Sequence, residues 1–188
     1  MEYKRSTTIK IRDESGRWIP YRGLDPEKFE ELAALVGRCL EQRGYVIICI
    51  TGNKGIGKST LGKFIRKRGF GPYKPRHIAV IDDDCMSVEV LHFFRRRYVN
   101  PCAGVDELKP FFGYCTKRPI RIYIKSNPES RISRADILLL LDTDEEERRR
   151  RLLRRYGREK GESVFQDTRS YEGRPAIAFQ YWMRASVP

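Results

Sequence analysis

The sequence predicts an α/β fold, with strands and helices alternating around an open, mostly parallel sheet. The first observation behind this is the run Tyr45-Val46-Ile47-Ile48-Cys49-Ile50. It is unbroken, apolar and rich in β-branched residues, as a central parallel strand buried on both faces requires. The second is that similar runs recur at His77–Ile81, Pro119–Ile124 and Ala135–Leu141. The third is that helical segments fall between the strands, the pattern of an open α/β sheet.

Taken in order, the alternating Thr7–Arg12 and the segment Arg17–Tyr21 read as a small hairpin, reversed at Asp13-Glu14-Ser15-Gly16. Asp25-Pro26 marks a helix start, with a capping carboxylate and a proline at the first helical position. Phe29, Leu32, Ala33, Val36 and Leu40 recur at helical spacing, and Gly44 closes that helix. The first buried strand follows, and a helix opens at Ser59. The second strand ends in Asp82-Asp83-Asp84, and a helix is expected from about Ser87 to Tyr98. The fourth strand leads into a helix from Glu145 to Tyr156. Beyond Gly157 the chain is polar and punctuated by glycine up to Pro175–Met183, which reads as a last helix.

The 188 residues fit one domain, residues 1–188, with residues 1–44 as an N-terminal hairpin-and-helix extension. Hydrophobic residues make up 40% and charged residues 34%, the balance of a soluble globular chain. No apolar run approaches the roughly 20 residues of a membrane span. The start Met1-Glu2-Tyr3-Lys4-Arg5 has no apolar signal segment behind it, so a cytoplasmic location is expected. Cys39, Cys49, Cys85, Cys102 and Cys115 are scattered, which argues against a zinc site or a disulfide framework. The net charge of +13 favours anionic partners such as nucleotides, phosphorylated metabolites or nucleic acid.

Between the first strand and its helix lies Gly52-Asn53-Lys54-Gly55-Ile56-Gly57-Lys58-Ser59-Thr60. The spacing Gly-x-x-x-x-Gly-Lys-Ser lets backbone N–H groups wrap a phosphate, and the helix N-terminus adds its positive dipole end. Lys58 is placed to reach the β- and γ-phosphates of a nucleoside triphosphate, and the Ser59 hydroxyl to hold Mg²⁺. The fold class is thereby narrowed to the three-layer P-loop nucleoside triphosphate hydrolase fold.

Such a loop works with a carboxylate near the metal, at the end of a neighbouring strand. Two groups compete. Asp82, with Asp84 two residues on, ends the second strand, and Asp142 ends the fourth. Three adjacent carboxylates are costly to hold without a cation, which favours the Asp82 group. Asp142 runs into Thr143-Asp144-Glu145-Glu146-Glu147, which suits the cap and acidic first turn of a helix. That helix carries Arg148-Arg149-Arg150-Arg151, Arg154 and Arg155, and Arg158 follows Gly157. Glutamates three or four residues ahead can pair with some of them. The array extends past those acids, and guanidinium groups suit a moving phosphoryl group whose charge spreads over three oxygens. Residues 145–161 are the candidate lid, with Arg151, Arg155 and Arg158 as its inward arginines.

From Tyr45 to about Gly161 the chain resembles the P-loop kinases of small molecules, the group that includes uridine, shikimate, gluconate and adenylyl-sulfate kinases. The glycine loop, Val80-Ile81-Asp82-Asp83-Asp84 and Ala135–Asp142 before the arginine helix carry the resemblance. It implies a five-stranded parallel sheet and transfer of the γ-phosphoryl group of ATP to a hydroxyl or phosphate. By the same resemblance Asp82 assists Mg²⁺, Asp84 acts as base toward the acceptor hydroxyl, and the arginines near Arg151 to Arg158 belong to the lid. The chain departs from the group in three places. The segment before Tyr45 is extra, Lys125-Ser126-Asn127-Pro128 replaces an acidic or glycine-rich turn, and no fifth strand is recognised after the lid.

The expected activity is a Mg-ATP-dependent phosphotransfer to a nucleoside, nucleotide or other small molecule, with no membrane partner. The alternatives are a polynucleotide 5′-hydroxyl kinase, which the basic charge motivates, and a nucleic-acid-associated P-loop ATPase. The sequence names neither the acceptor, the base preference nor the oligomeric state.

Overall fold

The computed structural model describes residues 8–13, 15–82, 87–90, 94–97, 118–168 and 175–187. In chain order these form β1 (Lys10–Arg12), β2 (Trp18–Pro20), α1 (Pro26–Arg43), β3 (Val46–Thr51), α2 (Lys58–Arg68), β4 (Ile78–Asp82), β5 (Ser87–Val90), β6 (Phe94–Arg97), β7 (Ile120–Ile124), β8 (Arg134–Asp142), α3 (Glu145–Tyr156), α4 (Arg158–Asp167) and β9 (Ala178–Ser186). The class is α/β: five parallel strands in the order β4-β7-β3-β8-β9, flanked by helices, with β1 and β2 as a separate antiparallel hairpin.

β3 lies at the centre, with all six residues buried, between β7 and β8. From β3 the chain first builds the β4–β7 side of the sheet, then crosses to β8 and β9 on the other. The order therefore reverses next to β3, and in open α/β sheets the crevice outside the carboxyl ends at such a point is where ligands bind.

Alternate residues of β3 enter two cores. Val46, Ile48 and Ile50 meet Leu32, Val36 and Cys39 of α1 and Leu61 and Ile65 of α2. On the other face Ile47 and Cys49 join Ala79, Ile81, Tyr123 and Leu138. α1 begins at Pro26, whose fixed φ suits a first turn. Asp25 occupies the cap position, but its carboxylate makes no capping hydrogen bond; only its backbone carbonyl is used, accepting from the Phe29 N–H at 3.1 Å. The helix ends at left-handed Gly44, whose N–H donates to the Leu40 carbonyl at 2.8 Å. Just before it, Arg43 pairs with the buried Asp136 of β8, and the other carboxylate oxygen accepts from the Ile47 N–H at 2.7 Å. Asp136 is thus a structural carboxylate, satisfied on both oxygens.

Two sequence expectations are corrected. The segment expected as a last helix contains β9, a fifth strand paired in parallel with β8 from Arg134↔Ala178 to Asp142↔Ser186. Phe179, Tyr181, Met183 and Ala185 turn inward, while Ala178, Gln180, Trp182, Arg184 and Ser186 are exposed. That period of two belongs to an edge strand with one buried face, and helical spacing cannot produce it. Within the helix expected from Ser87 to Tyr98, the described residues form β5 and β6, an antiparallel pair with Val90 opposite Phe94. The β-branched Val88 and Val90 favour extended backbone there. In the polar stretch after Gly157, residues Arg158–Asp167 form α4. No described helix is long and apolar enough to cross a membrane.

Candidate functional site

The glycine loop joins the carboxyl end of β3 to the N-terminus of α2. At Gly52 the backbone takes φ 132°, and a Cβ there would lie 2.5 Å from the Leu141 carbonyl oxygen. Only glycine lets the chain leave β3 this close to β8. Gly57, with φ 103°, starts α2 and accepts the Leu61 N–H at 3.0 Å. The first turn of α2 contains no acid, while Arg66, Lys67 and Arg68 occupy its last turn. The positive dipole end therefore faces the loop with no carboxylate of its own turn to offset it. Gly62 allows close approach of α2 to the sheet, since a Cβ at this position would clash with Ile124 of β7.

Lys58 is buried, and its ammonium donates to the carbonyls of Gly52 at 2.8 Å and Asn53 at 2.9 Å. The Asn53 amide oxygen is buried without a hydrogen-bond partner among the described residues. The Asn53 oxygen thus leaves the loop one polar atom that it does not satisfy internally.

Two cavities open from the loop. A wide cleft of about 1560 Å³ is bounded by the loop, the β1–β2 hairpin, α3 and the ends of β8 and β9. A small one of about 110 Å³ lies toward β4, between Ser59, Lys63 and Asp82. Ser59 lines both. The two candidate acids are thereby separated. Asp82, opposite Ile124 in the sheet, stands on the small cavity beside Ser59. Asp142 stands on the wide cleft, where it pairs with Arg184 and accepts the Thr143 N–H at 2.9 Å. Asp84 lies outside the described residues. The cap of α3 is Asp144, which accepts from the Glu146 and Glu147 N–H groups at 2.9 and 3.1 Å.

α3 lies over the glycine loop, with Leu152 against Gly55. Much of its arginine array is used internally. Arg148 is buried, stacks on Phe165 of α4 at 4.3 Å and donates to Thr168 at 2.9 Å. Arg149 pairs with Glu162 at 2.8 Å, and Arg150 with Glu147. Arg151 is the arginine that reaches the loop: it donates to the Ile56 carbonyl at 3.3 Å while Glu147 holds its Nε at 2.7 Å. Burial lowers its pKa from the ordinary arginine value, so its charge is held in a partly dry place. Arg155 also lines the cleft. Arg158, at the exposed start of α4, does not.

The wide cleft includes residues absent from the sequence-based site: Arg12, Trp18 and Tyr21 from the hairpin, and Val187 after β9. The Tyr21 ring meets Phe64 of α2 edge-on at 5.7 Å, and burial pushes its phenol pKa up to about 12. A visible signal existed for Val187, since the alternation of Phe179, Tyr181, Met183 and Ala185 extends to it. For the hairpin the signal was weaker: a tryptophan in a short strand far from the glycine loop in sequence.

No family model and no curated protein matches this chain. Among solved structures, that of a "putative fructose transport system kinase" from Silicibacter sp. TM1040 aligns over 79% of this chain and 98% of its own, at 16% identity and a TM-score of 0.40. At that level the likeness carries no argument.

Proposed function

We propose that the protein is a P-loop phosphotransferase that uses Mg-ATP to phosphorylate a small hydroxyl compound or phosphate. The observation that carries this reading is the glycine loop at the carboxyl end of the central strand, with Lys58 held against it and Ser59 shared between two cavities.

In this reading the loop N–H groups and the α2 dipole bind the β-phosphate, and Lys58 leaves the Gly52 and Asn53 carbonyls to pair with the β- and γ-phosphates. Ser59 and Asp82 offer hard oxygen donors on the small cavity, a set suited to Mg²⁺ with its remaining positions held by water and phosphate. When bound, that ion would offset charge on the phosphates. The acceptor oxygen forms its bond to the γ-phosphorus as the bond to the β,γ-bridging oxygen breaks, releasing ADP. The acceptor proton passes to a carboxylate of the Asp82–Asp84 group, with Asp84 proposed as base. Arg151 and Arg155 stabilise the charge developing on the transferring group.

The test is transfer of label from γ-labelled ATP across a panel of nucleosides, sugars and oligonucleotides with 5′-hydroxyl ends. Label on a small compound is the expected result. Label on oligonucleotides alone would move the acceptor to nucleic acid, in keeping with the net charge of +13. Free phosphate released at one rate with or without any acceptor would contradict phosphotransfer.

A further inference from the structure

We infer that the β1–β2 hairpin forms the nucleoside wall of the cleft, with Trp18 as the platform for the base and the Tyr21 hydroxyl as a donor to a ligand oxygen. This rests on the proposed triphosphate site and gives the triphosphate a direction.

A triphosphate held at Lys58 and Ser59 has two ways to extend. The cavity on the Asp82 side, at about 110 Å³, accommodates a hydrated ion but no nucleoside. The nucleoside must then leave through the wide cleft, whose far wall is the hairpin. Trp18 is 61% exposed there, an unusual cost for the largest apolar side chain of a three-residue strand. The Arg12 guanidinium sits 4.9 Å from the ring centroid, which orients the indole by a cation–π contact while most of its surface stays open. A planar base is the ligand that such an indole fits, because every base presents a π-face and stacking needs no particular edge.

Tyr21 supplies the independent observation. It is only 5% exposed, it lines the same cleft, and its hydroxyl has no hydrogen-bond partner among the described residues. Buried hydroxyls are almost always paired, and an unpaired one needs an explanation. Its position is set by construction rather than by chance: its N–H donates to the Ile9 carbonyl at 2.7 Å, and its ring is held by Phe64, one turn beyond Thr60 of the glycine loop. A ribose or phosphate oxygen in the cleft would complete it.

The experiment compares titration calorimetry of Mg-ATP and of Mg-tripolyphosphate, which keeps the phosphates and lacks the nucleoside. Wild-type protein should bind Mg-ATP at least about tenfold more tightly than Mg-tripolyphosphate. Trp18→Ala should lose about tenfold in ATP affinity and keep its tripolyphosphate affinity, and Trp18→Phe should recover most of the loss. Tyr21→Phe should lose about fivefold for ATP without lowering the melting temperature of the free protein, because it removes a hydroxyl that is unpaired there. If both ligands bind wild type and all three variants alike, the hairpin does not read the nucleoside. If neither ligand binds wild type, the triphosphate site itself is wrong and the inference falls with it.

Discussion

On the β4 side of Ser59 the molecule is narrow, with a helix drawn tight onto the sheet at Gly62 and an acid, Asp82, at the end of the strand. On the β8–β9 side it is wide, roofed by α3 and walled by the hairpin, and the two aspartates at and just after the end of β8 are already engaged: Asp142 with Arg184, Asp144 with the start of α3. Two carboxylates at the ends of two sheet strands are therefore not equivalent. What separates them is which cavity they line and what they already hold. A carboxylate committed to a guanidinium has less to offer a cation, so in the proposed function the narrow side takes the metal and the wide side the nucleoside.

The largest effect should come from the lysine of the glycine loop, on the wide side. Lys58→Ala should reduce turnover by about a thousandfold or more, through loss of phosphate charge compensation, with little change in melting temperature. Steady-state label transfer and a thermal melt check both halves. The contrast between the two sides is tested by paired substitutions. Asp82→Asn should reduce turnover by about a hundredfold, and Asp142→Asn by less than about threefold. The opposite ranking would place the metal on the wide side.

Within the roof, Arg151→Ala should cost about ten- to a hundredfold in turnover, and Arg158→Ala less than about twofold, measured on the same assay. A further effect is one of stability at high pH. Burial raises the Tyr21 pKa to about 12 in the folded state, above its ordinary value near 10. The folded chain therefore keeps a proton that the unfolded chain loses. This contribution is whole below about pH 10 and is lost as pH rises toward 12, amounting to about 2–3 kcal/mol at the top of that window. Tyr21→Phe should flatten that part of the stability–pH curve, as read from denaturant melts.

Much of the sheet was legible in the sequence. β3, β4, β7 and β8 are apolar runs buried on at least one face for nearly their whole length, and such runs announce themselves without any knowledge of partners. The glycine loop is a local pattern, and its spacing fits the strand–helix junction in which it sits. The wide side was less legible, because its parts are defined by what they meet. β9 alternates, and Trp182 and Arg184 on its open face masked the inward Tyr181, Met183 and Ala185. Arg148 and Arg151 are three residues apart in one run of arginines, yet one is buried on Phe165 and the other reaches the loop. Only the packing of α3 against α4 distinguishes them. Nor does anything local in Trp18 or Tyr21 say that a hairpin ahead of the sheet comes to face the loop.

The central claim is that the glycine loop binds the phosphates of a nucleoside triphosphate, and calorimetric titration of Mg-ATP into wild type and Lys58→Ala tests it most directly. One saturable site is expected in wild type, with affinity weakened by at least about tenfold in the variant at little change in melting temperature. Equal affinity in the two proteins, or no binding to wild type at millimolar Mg-ATP, would contradict it.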